Sequence, residues 1–315
     1  MNNIYEAQAS NRLKSVIIII GFMLFVGVAV YILMQALGIY FGYQPGGLGG
    51  VGIAFIISGL MSFGSYYYSD KIVLGISGAR LADRKRDFIF YTVTENLSIA
   101  SGLPKPKLYI IDDTAPNAFA TGRDPDHAVV CVTTGLLQKL TRTELEGVIA
   151  HELTHIRNYD IRLMSVVAVL VGTVALLADW FLRMSFWGRR SKDDRGSSQA
   201  QAVIIALGLI FAILSPIIGT LIQLAISRRR EFGADIGAVS ITRQPDGLIK
   251  ALQKIAHDRE PLEAANKATA HLYIVNPFKA EGPERSRRNP INTFSNLFNT
   301  HPPVEDRIKE LQKMA

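Results

Sequence analysis

Cysteine is almost absent: Cys131 is the only one in 315 residues. An intramolecular disulfide is therefore excluded, and so is a structural metal site closed by several thiolates. The scarcity accords with a reducing compartment. Cys131 falls in the apolar run Ala128–Val132 and is expected as a buried structural thiol. Histidine is also scarce, with 6 residues, which gives weight to any pair of them at a patterned spacing. The glycine-rich stretch Pro45-Gly46-Gly47 lacks the Lys and Ser/Thr that end a phosphate-binding loop and reads as a turn. No basic stretch is interleaved with exposed aromatics, so nucleic acid is not an expected partner. No internal repeat occurs.

Charge is missing from four stretches: Val16–Tyr43, Leu48–Ser69, Leu163–Ala178 and Ala200–Ser227. About 20 apolar residues span a bilayer core, so the first, second and fourth are long enough to cross and the third is short. About four transmembrane helices are expected, and with a mean hydropathy of +0.20 a fully soluble chain is not. The first run is too long for a signal-peptide core and no Ala-x-Ala-like site follows it, so it is expected to stay as an anchor.

The net charge of +7 gathers near the ends of the runs. Arg12 and Lys14 lie before the first, and Lys71, Arg80, Arg84, Lys85 and Arg86 follow the second. Arg228, Arg229 and Arg230 follow the fourth. This matches the positive-inside preference and attraction to anionic headgroups. The link between the third and fourth runs, with Arg183, Arg189, Arg190, Lys192 and Arg195, resists a simple four-span arrangement. The resulting division is a polar lead (1–15), a membrane hairpin (16–69), a first core part (70–160), a second membrane or membrane-embedded hairpin (161–227) and a second core part (228–315).

The strongest motif is His151-Glu152-Leu153-Thr154-His155. Imidazoles at i and i+4 share one helix face, about 40° apart around the axis, as needed to hold one metal ion from two sides. Glu152 projects beside them, within reach of a water at the metal. Thr141 and Glu144 form a capping-box signature that starts this helix. Leu145, Val148, Ile149, Leu153 and Ile156 give it an apolar stripe. Upstream, residues 70–100 read as amphipathic helix. Strands are expected at Pro106–Ile111, Asn117–Gly122 and His127–Thr133, with turns between them. Leu248–His257 reads as a further amphipathic helix, and Arg285, Arg287 and Arg288 form a basic patch. His127 and His257 are expected on the surface.

A catalytic zinc site needs a third protein ligand and an open position. Glu231 is the best candidate. Asp235, one helical turn later, is placed to accept the free N–H of a ligand histidine. Both sets of ligands must lie on one side of the membrane. The gaps from His155 to Leu163 and from Ile226 to Glu231 then place the metal roughly 10 Å from the bilayer surface. One Zn²⁺ per chain is expected, with Glu152 taking the proton of the attacking water and returning it to the leaving amine. The alternative is a non-proteolytic membrane scaffold or holdase with a structural or autoinhibited zinc site.

With these residues in view, the chain resembles the HtpX-type membrane zinc endopeptidases, relatives of the proteases that process prenylated proteins. The resemblance rests on the N-terminal hairpin, Asn117–Gly122, Val148–His155, Arg230–Asp235, Ile274–Pro277 and Thr300–Pro303. It implies an α+β, mostly helical, gluzincin-like core with a small sheet, facing the cytoplasm from the cell membrane. It implies proteolysis of misfolded or damaged membrane proteins, with the bilayer and unfolded or membrane-protein substrates as partners. It also implies that Asn117, Ala118, Phe119 and Ala120 pair with substrate backbone, and that His301 approaches the active site to contact substrate or zinc. From the residues alone, Asn117–Gly122 reads equally as an open edge strand or as a packed strand with Phe119 in the core. His301, before two prolines, reads as a loop residue.

Overall fold

Val129–Thr133 (β4) is an unbroken Val/Cys/Thr run whose residues are all buried. Such a strand belongs at the centre of a sheet covered on both faces. The sheet runs β1-β2-β4-β3, with β1 at Arg80–Leu81, β2 at Lys107–Ile111 and β3 at Ala118–Thr121. β2 lies parallel to β4, whereas β1 on β2 and β3 on β4 are antiparallel. Phe119 stands opposite Cys131, so the lone thiol lies inside the sheet with no exposure. The structure, a computed structural model, describes residues 9–11, 13–21, 23–24, 26–28, 31, 47–172, 228–266, 269–278 and 302–314. His301, the fourth apolar run, the basic link at 183–195 and the patch at 285–288 lie outside them.

Helices cover the sheet. In chain order they are α1 (Ala9–Val28), α2 (Gly47–Tyr67), α3 (Ser69–Ile76), α4 (Phe88–Ser101), α5 (Thr134–Lys139), α6 (Arg142–Arg157), α7 (160–172), α8 (Arg228–Thr242), α9 (Pro245–His257) and α10 (Val304–Gln312). α6 starts on the expected capping box, with the Thr141 N–H donating to Glu144 Oε2 at 2.7 Å. Its apolar stripe is buried, and α4, α8, α9 and β3 enclose it, so its polar residues are buried too. α4 stops where Gly102 turns left-handed at φ 68° and closes the helix end onto Ile99 and Ser98. α9 begins three residues earlier than the expected Leu248, because Pro245 supplies a preset first helical position.

The expected helix over 70–100 is corrected. It is broken into α3, the two-residue strand β1 and α4. Gly78 turns left-handed at φ 62° after α3. The Asp83 side chain accepts the N–H groups of Lys85 and Arg86 and builds the turn before α4. The third expected strand is also shortened, since Pro125–His127 forms a 3₁₀ turn capped by Asp124.

Among the described residues, α1 is long and apolar enough to cross a membrane, and Val51–Gly64 with Ser69–Ile76 form a second candidate bent by 73°. The expectation of about four spans is thus met by one or two among these residues. Ile18 and Val26 of α1 pack against Leu163, Val167 and Leu170 of α7. On α2, Ile53, Ile56, Leu60 and Phe63 are exposed.

α6 and α9 cross at glycine. A Cβ on Gly147 would lie 2.6 Å from the Leu248 backbone nitrogen and 2.8 Å from its Cα. Backbone cannot step aside as a side chain does. We expect Gly147→Ala to destabilise the full-length protein by about 1–3 kcal/mol, read as a lower urea midpoint in detergent. An unchanged midpoint would show that the crossing tolerates a wider separation.

Candidate metal centre

His151 and His155 come from α6, Glu231 and Asp235 from α8. The two Nε2 atoms stand 3.2 Å apart, with the rings at 89°. Glu231 Oε1 lies 3.6 Å from His155 Nε2, and its Oε2 lies 3.7 Å from His151 Nε2. All three residues are buried.

Each imidazole is held from behind by a carboxylate. Asp235 Oδ1 lies 3.0 Å from His151 Nδ1, and Asp160 Oδ2 lies 2.9 Å from His155 Nδ1. The Asp160 carboxylate accepts from the His155 Nδ1–H, and the Asp235 oxygen beside His151 Nδ1 favours the same tautomer there, which turns both Nε2 lone pairs toward one spot. Two lone pairs facing each other across 3.2 Å require a cation between them. Ligand bonds of about 2.0–2.1 Å at a tetrahedral centre would set two such nitrogens about 3.3 Å apart. The residues therefore fit a metal ion with two imidazoles and one carboxylate.

Burial pushes His155 down, but the hydrogen bond to Asp160 and the charges of Glu231, Asp160 and Glu152 outweigh it and hold the ring up to about 9. His151 falls to about 4, mainly through burial, with the charges of Arg307 and His155 adding to it. Burial also raises Glu152, to about 7, with a contribution from Glu231, against the opposing charges of His155 and Arg307. The nearby Ala120 backbone N–H lowers it slightly. That value suits a base working near neutrality.

Sequence reasoning missed Asp160 and Arg307. Arg307 on α10 is fully buried and grips Asp235 with both arms, Nε to Oδ2 at 2.9 Å and Nη2 to Oδ1 at 2.6 Å. Its Nη1 donates to the Ile274 carbonyl at 3.0 Å and lies 3.8 Å from Glu231 Oε2. Burial alone would raise the Asp235 carboxyl; the Arg307 charge and hydrogen bonds, with His151, hold it at about 2. A sequence signal exists, since Arg307 occupies a position in the stripe Val304, Ile308 and Leu311, where an apolar residue belongs. Asp160 offers no such signal. On a continuous helix it would point about 140° away from His155; the break at Asn158–Tyr159 brings it back.

The expected substrate strand, Asn117–Ala120, lies at the start of β3. β3 is an edge of the sheet, but residues 273–275 lie along it. The Ile274 N–H donates to the Ala118 carbonyl at 2.9 Å, and Asn117 Nδ2 donates to the Val275 carbonyl at 2.9 Å. Phe119 is fully buried against Tyr273, 5.1 Å between ring centroids, and serves the core. Ala120 alone of the four faces Glu152. His127 and His257 are exposed, as expected.

A histidine pair and a carboxylate converging on one point beside a buried glutamate define a metal-dependent peptidase. The model of peptidase family M48 matches residues 89–315. A protease HtpX homolog of Dictyoglomus turgidum is 44% identical over 313 residues, covering 99% of this chain and 95% of that protein. Homologs of the same name from Thermoanaerobacter pseudethanolicus and Listeria monocytogenes are 43% and 40% identical, each over 99% of this chain and 98% and 100% of their own. The chain belongs to peptidase family M48 and is a metallopeptidase. Among solved structures, S. mikatae Ste24p is similar at 18% identity with a TM-score of 0.48, over 89% of this chain and 62% of that one.

Two outcomes follow from the geometry. A cation entering the site must displace the proton that His155 keeps up to about 9. Its apparent affinity should therefore rise with pH, about tenfold per unit below that value, in chelator-competition titrations at pH 6, 7 and 8. A flat profile would contradict the raised basicity of His155. Arg307→Ala would strand Asp235 as a buried charge and should cost about 3–5 kcal/mol in urea unfolding. A loss below about 1 kcal/mol would mean that water replaces the guanidinium.

Proposed function

We propose that this chain is a zinc-dependent endopeptidase of the cell membrane that cuts misfolded or damaged membrane proteins, with its core facing the cytoplasm. The observation that carries this reading is the pair of inward-facing Nε2 atoms, 3.2 Å apart, with Glu231 opposite and Glu152 alongside. His151, His155 and Glu231 are the proposed ligands. Two imidazoles and a carboxylate are the donor set of a catalytic zinc site, with one position left open. The membrane location is supported by α1 and the exposed apolar face of α2, the cytoplasmic side by the basic residues near the membrane ends. The names of the relatives support proteolysis.

Bound zinc supplies Lewis acidity, polarising a scissile carbonyl and acidifying a water. The chain does the rest. Glu152, buried beside the two histidines, takes the water proton and passes it to the leaving amine. Asp235 and Asp160 keep both rings in the ligating tautomer. Arg307 keeps Asp235 ionised. Ala120 is the proposed backbone contact for substrate, and His301 a contact from the segment before α10. The scaffold alternative is not favoured, because a closed structural site needs four protein donors and three converge among the described residues.

The test is Glu152→Gln in the full chain, assayed on an unfolded membrane protein with metal analysis alongside. Metal content should stay full while cleavage falls about 10²–10⁴-fold. His155→Ala should lose the metal. Full metal with undiminished cleavage in Glu152→Gln would overturn the role of that residue.

A further inference from the structure

Asn11 is a polar residue at the start of an apolar helix, 4% exposed, and it is not buried among apolar groups. Its amide donates to Asp160 Oδ1 at 2.7 Å and to the Asn158 carbonyl at 3.0 Å. Its own oxygen lies 3.5 Å from Arg230 Nη1. Both hydrogens and the acceptor of the amide are thus engaged. Asp160 is itself divided: Oδ2 holds His155 Nδ1 at 2.9 Å, and Oδ1 holds Asn11. Arg230 immediately precedes Glu231, and its Nε lies 3.8 Å from Asp160 Oδ1.

The backbone is arranged to make this contact. Tyr159 is one of two non-glycine residues with positive φ among those described, at 59°. That conformation costs a β-carbon-bearing residue energy and persists where the surroundings enforce it. It ends α6 and starts α7 so that Asp160 turns back onto His155. Arg162 packs over the Tyr159 ring at 5.3 Å. α1 lies along α7 through Ile18 and Val26, and the Ser15 hydroxyl, fully buried, donates to the Asn11 carbonyl at 2.8 Å. Asn11, Ser15, Ile18 and Val26 form one face of α1.

We propose that Asn11 is a positioning residue for the metal centre, contributed by the N-terminal membrane helix: it orients Asp160, which orients His155, so that the site is complete only when α1 is seated on α7. This rests on the assignment of His151, His155 and Glu231 as ligands. Asn11 touches neither metal nor substrate. A buried carboxylate with one oxygen on a ligand histidine needs its other oxygen satisfied, or the group rotates out of place. The amide of Asn11 meets that need, and no residue of the catalytic helices does so at hydrogen-bond distance among the described contacts.

The experiment is a double-mutant cycle in the full-length protein in detergent, with zinc alone as probe and a competing chelator. Asn11→Leu keeps the size and helical character of the residue and removes both donors. It should weaken zinc binding about 10-fold or more, the range for loss of such supporting contacts. It should also lower kcat more than raise KM. In an Asp160→Asn background the same change should have no further effect on zinc affinity, because its path is already cut. Asn11→Ala gives the same comparison if Asn11→Leu does not accumulate. Unchanged zinc affinity in Asn11→Leu, or additive losses in the double variant, would overturn the proposal. His151→Ala is the separate control: if it keeps full zinc affinity, the ligand assignment itself fails, whatever Asn11 does.

Discussion

The structure turns on a guanidinium with no exposure to solvent. Arg307 reaches from the last helix to close both arms on Asp235, and Asp235 in turn holds His151. Burying such a pair is costly, and it persists only with every donor and acceptor placed. Here the remaining arm is met by the Ile274 carbonyl, which draws residues 273–275 against β3. One interaction therefore joins α10, α8, α6 and the edge of the sheet. The two histidines are not simply presented on a helix face; each is set by a carboxylate that the tertiary fold holds against its ring.

Much of this was legible in the chain because helical spacing is local information. His151 and His155, Glu231 and Asp235, and the Thr141–Glu144 cap all follow from intervals of three or four residues. The sheet was readable where strands are long enough to show composition, as at Lys107–Ile111 and Val129–Thr133. Two-residue β1 carries no period and was absorbed into a helix. Asp160 was hidden because its position depends on a left-handed tyrosine, which no turn residue announces. The covering of β3 by Ile274 and Val275 joins positions more than 150 residues apart, and no local pattern encodes it.

The same distinction separates the parts of the site. Groups proposed to touch metal sit on regular helix, where small backbone errors are averaged out over many hydrogen bonds. Asp235, which orients His151, shares α8 with Glu231; the other supports come from the start of α1, a tight turn and α10. Orientation is thus delegated in part to elements sensitive to how the molecule is assembled, and α1 is one of them.

The lone cysteine has a practical consequence. Cys131 lies at the middle of the central strand with no exposure, and burial pushes its thiol far up from its ordinary range. A thiolate-seeking reagent finds nothing to react with until β4 is pulled from between its neighbours. Labelling of the native chain is therefore a built-in clock for opening of the sheet, with no engineered reporter and no second thiol to confuse the signal.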